Sequence, residues 1–145
     1  MWLHNEQEVT ELPEDCVAFC YLITNLTNDR KYVGKKLATR SKIRMVNKKK
    51  KRTRVESDWR DYWGSNAELQ EDVKRLGESN FRREILLFCQ SRGQATYHEA
   101  RLQFAFGVLT ESGWYNSAIM CRIHKNHLKP AKKKKPVKTK SRPKV

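Results

Sequence analysis

No stretch of about 18 apolar residues occurs in this sequence, so nothing in it is fitted to cross a bilayer as a helix. Acidic side chains are scarce. Sixteen Asp and Glu face 31 Lys and Arg, for a net charge of +15, which favours a polyanionic partner, nucleic acid ahead of an anionic membrane surface. Four cysteines are present but never as CxxC. They read as free thiols, and a zinc site drawing on Cys121, His124, His127, Cys16 and Cys20 would lack the usual paired ligands. The polar, acidic stretch Met1 to Asp15 excludes a secretory signal, and the expectation is a cytoplasmic protein. No internal repeat is visible. What remains, 145 residues with 38% hydrophobic side chains, suits one domain with a modest core.

The chain is organised around Phe19-Cys20-Tyr21-Leu22-Ile23-Thr24-Asn25, a short polar break, and Lys31-Tyr32-Val33-Gly34-Lys35-Lys36. The first run is β-branched, aromatic or apolar almost without interruption and reads as a buried strand. Asn28-Asp29 supplies the positive φ of a two-residue hairpin turn. That turn would set Asn25 opposite Tyr32 and Ile23 opposite Gly34, putting Tyr21, Ile23, Asn25, Tyr32 and Gly34 on one face. Two phenols then converge beside a glycine that leaves room for a ligand. A three-residue turn would instead separate the tyrosines, and as bare pattern both can be ordinary strand aromatics.

Residues 1–15 are expected as an irregular or weakly helical lead, and 16–128 as the functional domain. Within it, 37–58 reads as a mobile basic insertion loop carrying Arg40, Lys42, Arg44, Lys48, Lys49, Lys50, Lys51, Arg52 and Arg54. Such a block either stays a solvated loop or clamps phosphates and releases counterions; an import signal is a third use. The aromatic knot Trp59-Arg60-Asp61-Tyr62-Trp63 reads as packing, with base stacking as the alternative. Ser65 and Glu68 form a capping box for a helix through Leu69, Val73 and Leu76 that Gly77 closes. Phe81 to Cys89, apolar on both faces, reads as a central third strand. A second helix runs from Thr96, its N-cap, to about Leu109, with Glu99 at N3 and an apolar stripe through Ala100, Phe104 and Val108. Ile119 to Leu128 reads as a short basic helix, and 129–145 as a disordered lysine-rich tail. The fold class is therefore α/β (α+β), a small three-stranded, mainly antiparallel sheet flanked by helices.

Phosphodiester hydrolysis needs an aligned or deprotonated water, a divalent ion at the phosphate, and cations against the developing charge. Glu99, near a helix start, offers a hard oxygen for Mg²⁺; its competing role is the cap with Thr96. Several ordered motifs are similar to those of the GIY-YIG nucleases, most closely the Seg-type phage proteins. They are Phe19-Cys20-Tyr21, Tyr32-Val33-Gly34-Lys35-Lys36, Glu56-Ser57-Asp58-Trp59 with Tyr62-Trp63-Gly64-Ser65-Asn66, Phe81-Arg82-Arg83-Glu84-Ile85-Leu86 and Tyr97-His98-Glu99-Ala100. The likeness spans about Val17 to Leu128.

The resemblance implies a Mg²⁺- (or Mn²⁺-) dependent endonuclease of homing-like type, acting on double-stranded DNA. It implies that Tyr21 aligns or deprotonates the attacking water, with Lys35 and Lys36 to lower its pKa, and that Tyr32 hydrogen-bonds water or phosphate. It makes Glu99 the metal ligand and Asn116 a supporting residue beside Gly34. The family's phosphate-gripping arginine falls by offset on Lys42, a point charge that cannot grip bidentately. Arg40 is therefore the candidate, with Arg44 on the other side. Lys36, Lys42, Arg44, Lys48 to Lys51, Arg52 and Arg54 are assigned to DNA. Oligomeric state is open, a dimer on DNA being one way to cut both strands. The competing readings are a non-catalytic nucleic-acid binder and a basic ribosome-associated protein.

Overall fold

A computed structural model describes residues 1–131. The tail expected at 129–145 lies mostly outside them. Seven strands and two α-helices follow in order: β1 (Trp2–His4), β2 (Gln7–Val9), β3 (Ala18–Asn25), β4 (Lys31–Leu37), β5 (Thr39–Val46), β6 (Lys49–Glu56), α1 (Ala67–Leu76), β7 (Phe81–Cys89) and α2 (Arg92–Phe106). Five strands form one mixed sheet in the order β2-β1-β7-β3-β4, in which only β1 and β7 run parallel. The three expected strands are its antiparallel part, β7-β3-β4. The expectation of a three-stranded sheet is corrected by the lead, which supplies two more strands. Its signal is Asn5-Glu6, both at positive φ (49° and 66°) as a tight primed turn requires. The result is a sealed Trp2, buried at 2% exposure with its indole N–H donating to Trp59 O at 2.7 Å.

The stretch 37–58, expected as a loop, forms a separate two-stranded ribbon, β5 paired with β6. Asn47 and Lys48 make its turn at φ 51° and 61°. Alternation explains it: Ile43, Val46, Thr53 and Val55 interleave with the cations, and each cation projects into water, so a strand accommodates charges that a compact helix would crowd.

The sheet's two faces differ in side-chain size. One carries Phe19, Tyr21, Ile23, Phe81 and Ile85, covered by Trp2, Trp59, α1 through Leu69 and Val73, and Tyr115. The other carries Ala18, Cys20 and Cys89, small enough for α2 to approach on Ala95. That choice of face corrects the apolar stripe expected on α2 at Phe104 alone, since Ala100 and Val108 are buried. Ala95, Ala100 and Gln103 face the sheet, while Phe104 is 70% exposed. Both expected helix caps shift as well. Asn66, not Ser65, accepts from Leu69 N at 2.9 Å, and Ser91, not Thr96, accepts from Gln94 N at 3.0 Å. Glu99 consequently sits two turns into α2, free of any cap. Between Ile119 and Leu128 the only helical turn is a 3₁₀ turn at Lys125–Leu128, not the expected helix.

Arg83 of β7 is buried at 4% exposure between two indoles, its guanidinium 4.6 Å from the Trp2 ring and 4.1 Å from Trp63. One nitrogen donates to the carbonyls of Arg60 (3.0 Å) and Tyr62 (2.8 Å). The side chain fastens the aromatic knot to the sheet.

Candidate active site

The β3–β4 hairpin closes through a four-residue loop, not a two-residue turn. Asn25 N donates to Arg30 O at 2.7 Å, and Asn25 Oδ1 accepts from Thr27 N (3.0 Å) and Thr27 Oγ1 (2.7 Å). That side-chain turn inserts two residues more than anticipated, so Tyr21 pairs with Gly34 and Ile23 with Tyr32. A slip of two preserves faces. Tyr21, Tyr32 and Gly34 do share one, with the tyrosine ring centroids 6.2 Å apart.

Gly34 is there for space. A Cβ at this position would lie 2.6 Å from Tyr21 Cζ and 2.9 Å from Tyr32 Cε1, so any larger residue evicts one ring. Gly64, at φ +86°, brings its backbone over the same pair, its would-be Cβ 3.5 Å from Tyr21 Oη and 3.5 Å from Tyr32 Cδ1. Tyr21 is 1% exposed, wedged among Trp2, Phe19, Tyr32 and Tyr62. Burial, then the neighbouring Tyr62 and Tyr32 phenols, drive its pKa well above the ordinary value. None of the main influences on it is a cation. Lys36, expected to help, instead donates to Asp58 Oδ1 at 2.6 Å and lies 4.1 Å over the Tyr62 ring. Tyr32 is only half-buried, and its hydroxyl meets Ser65 Oγ at 3.1 Å. Burial raises its pKa also, while the Ser65 bond lowers it.

β4 is the outer strand of the sheet, and its outward backbone groups need partners. Lys31 N donates to Gly113 O at 2.9 Å. Val33 N donates to Asn116 Oδ1 at 3.0 Å, and Asn116 Nδ2 returns a bond to Val33 O at 2.8 Å. The Glu99 carboxylate lies close enough to the Lys35 backbone N–H for that group to lower its pKa. Asn116 thus caps Val33 along the strand edge and Glu99 lies beside the next outward residue, Lys35, while the alternate residues Tyr32 and Gly34 face the tyrosine side of the sheet. Burial raises the Glu99 pKa, opposed by the Lys35 ammonium and the Lys35 N–H. Lys35 Nζ donates to Thr96 Oγ1 at 2.6 Å, which positions the cation next to the carboxylate.

Around the β4 edge therefore lie Tyr32 and Gly34, with buried Tyr21 beneath them, on one face, Lys35 and Glu99 on the α2 face, and Asn116 along the edge itself. Arg40 stands at the root of the ribbon, in a groove of about 300 Å³ with Lys35, Lys36 and Asp58. Lys36 first and Arg40 after it hold the Asp58 carboxyl below its usual range. The remaining cations lie out along the ribbon: Lys42, Arg44, Lys49 and Lys51 on the Arg40 face, Lys50, Arg52 and Arg54 on the other, and Lys48 at the turn. Three neighbours escape sequence reasoning. Tyr62 packs on Tyr21, Ser65 meets Tyr32, and Thr96 holds Lys35. The first reads as packing and the other two as caps, because nothing in local spacing tells a long-range hydrogen bond from a cap.

Glu99 is a single hard oxygen donor beside a cation. Among the described residues no three His, Cys, Asp or Glu side chains group to hold a metal. One carboxylate fits an ion that keeps most of its waters, as Mg²⁺ does, and does not fit zinc. The four cysteines are free thiols. Among the described residues no helix is long and apolar enough to cross a membrane.

The family model described as "Putative endonuclease segE, GIY-YIG domain" matches residues 2–119. No curated protein and no solved structure gives a significant match.

Proposed function

The chain belongs to the GIY-YIG endonuclease family, of the Seg type, and from that premise we propose that it hydrolyses phosphodiester bonds of double-stranded DNA with Mg²⁺ or Mn²⁺ held at Glu99. The observation that supports this most is the edge of β4, where a half-exposed phenol on one face and an ammonium beside a half-buried carboxylate on the other are separated by a single strand. When bound, the cation supplies Lewis-acid stabilisation of the phosphate's growing negative charge.

The chain's own groups do the rest. Tyr32, the accessible phenol, accepts a hydrogen bond from the attacking water and aims it at phosphorus. Tyr21 has no surface to offer and acts through Tyr32, as a positioning residue that Gly34 admits and Tyr62 braces. Lys35 can leave Thr96 for a non-bridging oxygen or the departing oxygen, and Arg40 reaches a flanking phosphate. The P–O bond to water forms as the ester P–O bond breaks, and a water proton ends on the leaving alkoxide. Asn116 keeps β4 straight behind the site. A phage-encoded, homing-like role in the host cytoplasm completes the reading, and two copies or two successive nicks would sever both strands.

A second reading has one observation in its favour. Lys42, where the family's arginine falls by offset, lies out along the ribbon, and Arg40 stands at its root, so the domain can bind DNA and cut it slowly or not at all. Incubation with supercoiled plasmid and Mg²⁺, with EDTA and Glu99→Ala controls, separates the two. Nicked product that vanishes in both controls supports the nuclease. A gel shift without cleavage across several divalent ions leaves a binder.

A further inference from the structure

The β5–β6 ribbon stands apart from the sheet. Its strands pair only with each other, and nearly every side chain is exposed. Its root alone is anchored: Ser57 N donates to Ala38 O at 3.0 Å, and Ser57 Oγ to Leu37 O at 2.6 Å. Between Thr39 and Glu56 it carries nine Lys and Arg against one Glu. Arg44 and Lys51 sit directly opposite each other, a like-charge pair that costs stability. No carboxylate of the described residues forms an ion pair with any of these nine. An isolated two-stranded hairpin is marginal in water, so this one is built for a polyanion that relieves its charge.

Its two faces differ. Arg40, Lys42, Arg44, Lys49 and Lys51 share one. The other pairs Ile43 with Arg52 and Met45 with Lys50, leaving Ile43 56% and Met45 65% exposed with no cover among the described residues. Phosphates alone give an aliphatic side chain nothing to do. The floor of a DNA groove does, because thymine presents a methyl group beside the acceptors that lysine and arginine read on guanine. Size selects the groove. Each eight-residue strand is about 27 Å long at roughly 3.4 Å per residue. Two strands side by side fit a major groove about 12 Å wide but not a minor groove of about 6 Å. Duplex RNA is excluded on the same ground, its major groove being deep and narrow.

We propose that the ribbon enters the major groove of duplex DNA with Ile43, Met45, Lys50 and Arg52 on the base edges and the Arg40 face reaching the phosphate walls. The ribbon, and not a separate module, then carries sequence selectivity. This deepens the nuclease reading and rests on it for the identity of the polymer.

The test selects binding sequences from a random duplex library with the Glu99→Gln full chain, then footprints the enriched duplex with dimethyl sulfate. That reagent methylates guanine N7 in the major groove and adenine N3 in the minor groove. The expected result is protection at guanine N7 with adenine N3 open. In an Ile43→Ser/Met45→Ser background the protection fades and the preference for the selected sequence falls about tenfold. Both side chains are exposed, so folding is not at stake. Adenine N3 protection, no enriched sequence, equal retention of duplex RNA, or a footprint and preference unchanged in the double variant would each overturn the proposal. A wild-type chain that fails to nick plasmid while the footprint stands removes the nuclease reading and leaves the ribbon; nicking with no footprint removes the ribbon alone.

Discussion

Replacing Gly34 with alanine tests how the tyrosine pair is held. Its φ is not positive, so alanine carries no backbone penalty and the whole effect comes from volume. The new methyl would lie 2.6 Å from Tyr21 Cζ and 2.9 Å from Tyr32 Cε1, against an ordinary carbon separation of about 3.5–4.0 Å. One ring must yield by about 1 Å, and Tyr21 has nowhere to go. Trp2 stands 5.4 Å away, Tyr62 5.8 Å and Phe19 6.2 Å, all edge-on. Overpacking typically costs about 1–3 kcal/mol, and a hemmed ring belongs at the upper end. Roughly 3 kcal/mol corresponds to a melting shift on the order of 10 °C for a domain of this size. Nicking should fall more steeply, about a hundredfold, because displacement of a positioning group by about 1 Å costs that much. Urea denaturation of Gly34→Ala, Tyr21→Leu and the double variant gives the coupling directly. Leucine removes the ring that clashes, so the double variant should recover much of the alanine penalty. A Gly34→Ala protein within about 0.5 kcal/mol of wild type, still nicking plasmid, would refute the packing argument and the positioning role of Tyr21 with it.

Further outcomes follow from the same geometry. Glu99→Gln should abolish nicking yet be at least as stable as wild type at neutral pH. A carboxyl whose folded pKa is raised adds stability that is complete below the unfolded value of about 4.3 and lost as pH rises through the folded one. The variant's advantage should therefore grow over that interval, and denaturation at pH 4 and pH 7 reads it. Asn116→Ala frees Val33 N and leaves Val33 O only its bond from Gln103 Nε2; it should cost about 1–3 kcal/mol, with hydrogen exchange faster along β4 than along β7. Arg83→Ala leaves two part-buried carbonyls and two indole faces without their cation. The expected loss is about 3 kcal/mol, seen as a lower urea midpoint. Lys49→Ala/Lys51→Ala should flatten the salt dependence of DNA binding by about 0.9 in logarithmic slope for each phosphate no longer neutralised.

Much of the fold is legible from side-chain chemistry alone. β3 announces itself by an unbroken apolar run, β7 by its apolar half Ile85 to Cys89, and α1 by its spacing and the Gly77 stop. The tyrosine pair survives a wrong loop because strand faces repeat every two residues and the error is two. The caps mislead because Ser65 and Thr96 have hydroxyls that serve a backbone N–H or a distant side chain equally well. The ribbon misleads because its charge density is conspicuous and its alternation is not. Repulsion between like charges disfavours compaction, but a two-stranded ribbon is not compact. Trp2 cannot be assigned locally at all, since its partners lie at residues 59 and 83.

That last pairing governs the order in which the chain can assemble. β1 joins the sheet only by lying parallel to β7, so residue 2 must wait for residue 83. The β3–β4 hairpin and the β5–β6 ribbon close locally and early, whereas Trp2, one of the two tryptophans buried in the core, docks only after a long-range closure. During that interval Tyr21 and Phe19 are roofed on one side only. The same seam should open first on the way out: amides of residues 2–9 should exchange ahead of those of β3 and β7, and a protease should find this edge before any other part of the sheet.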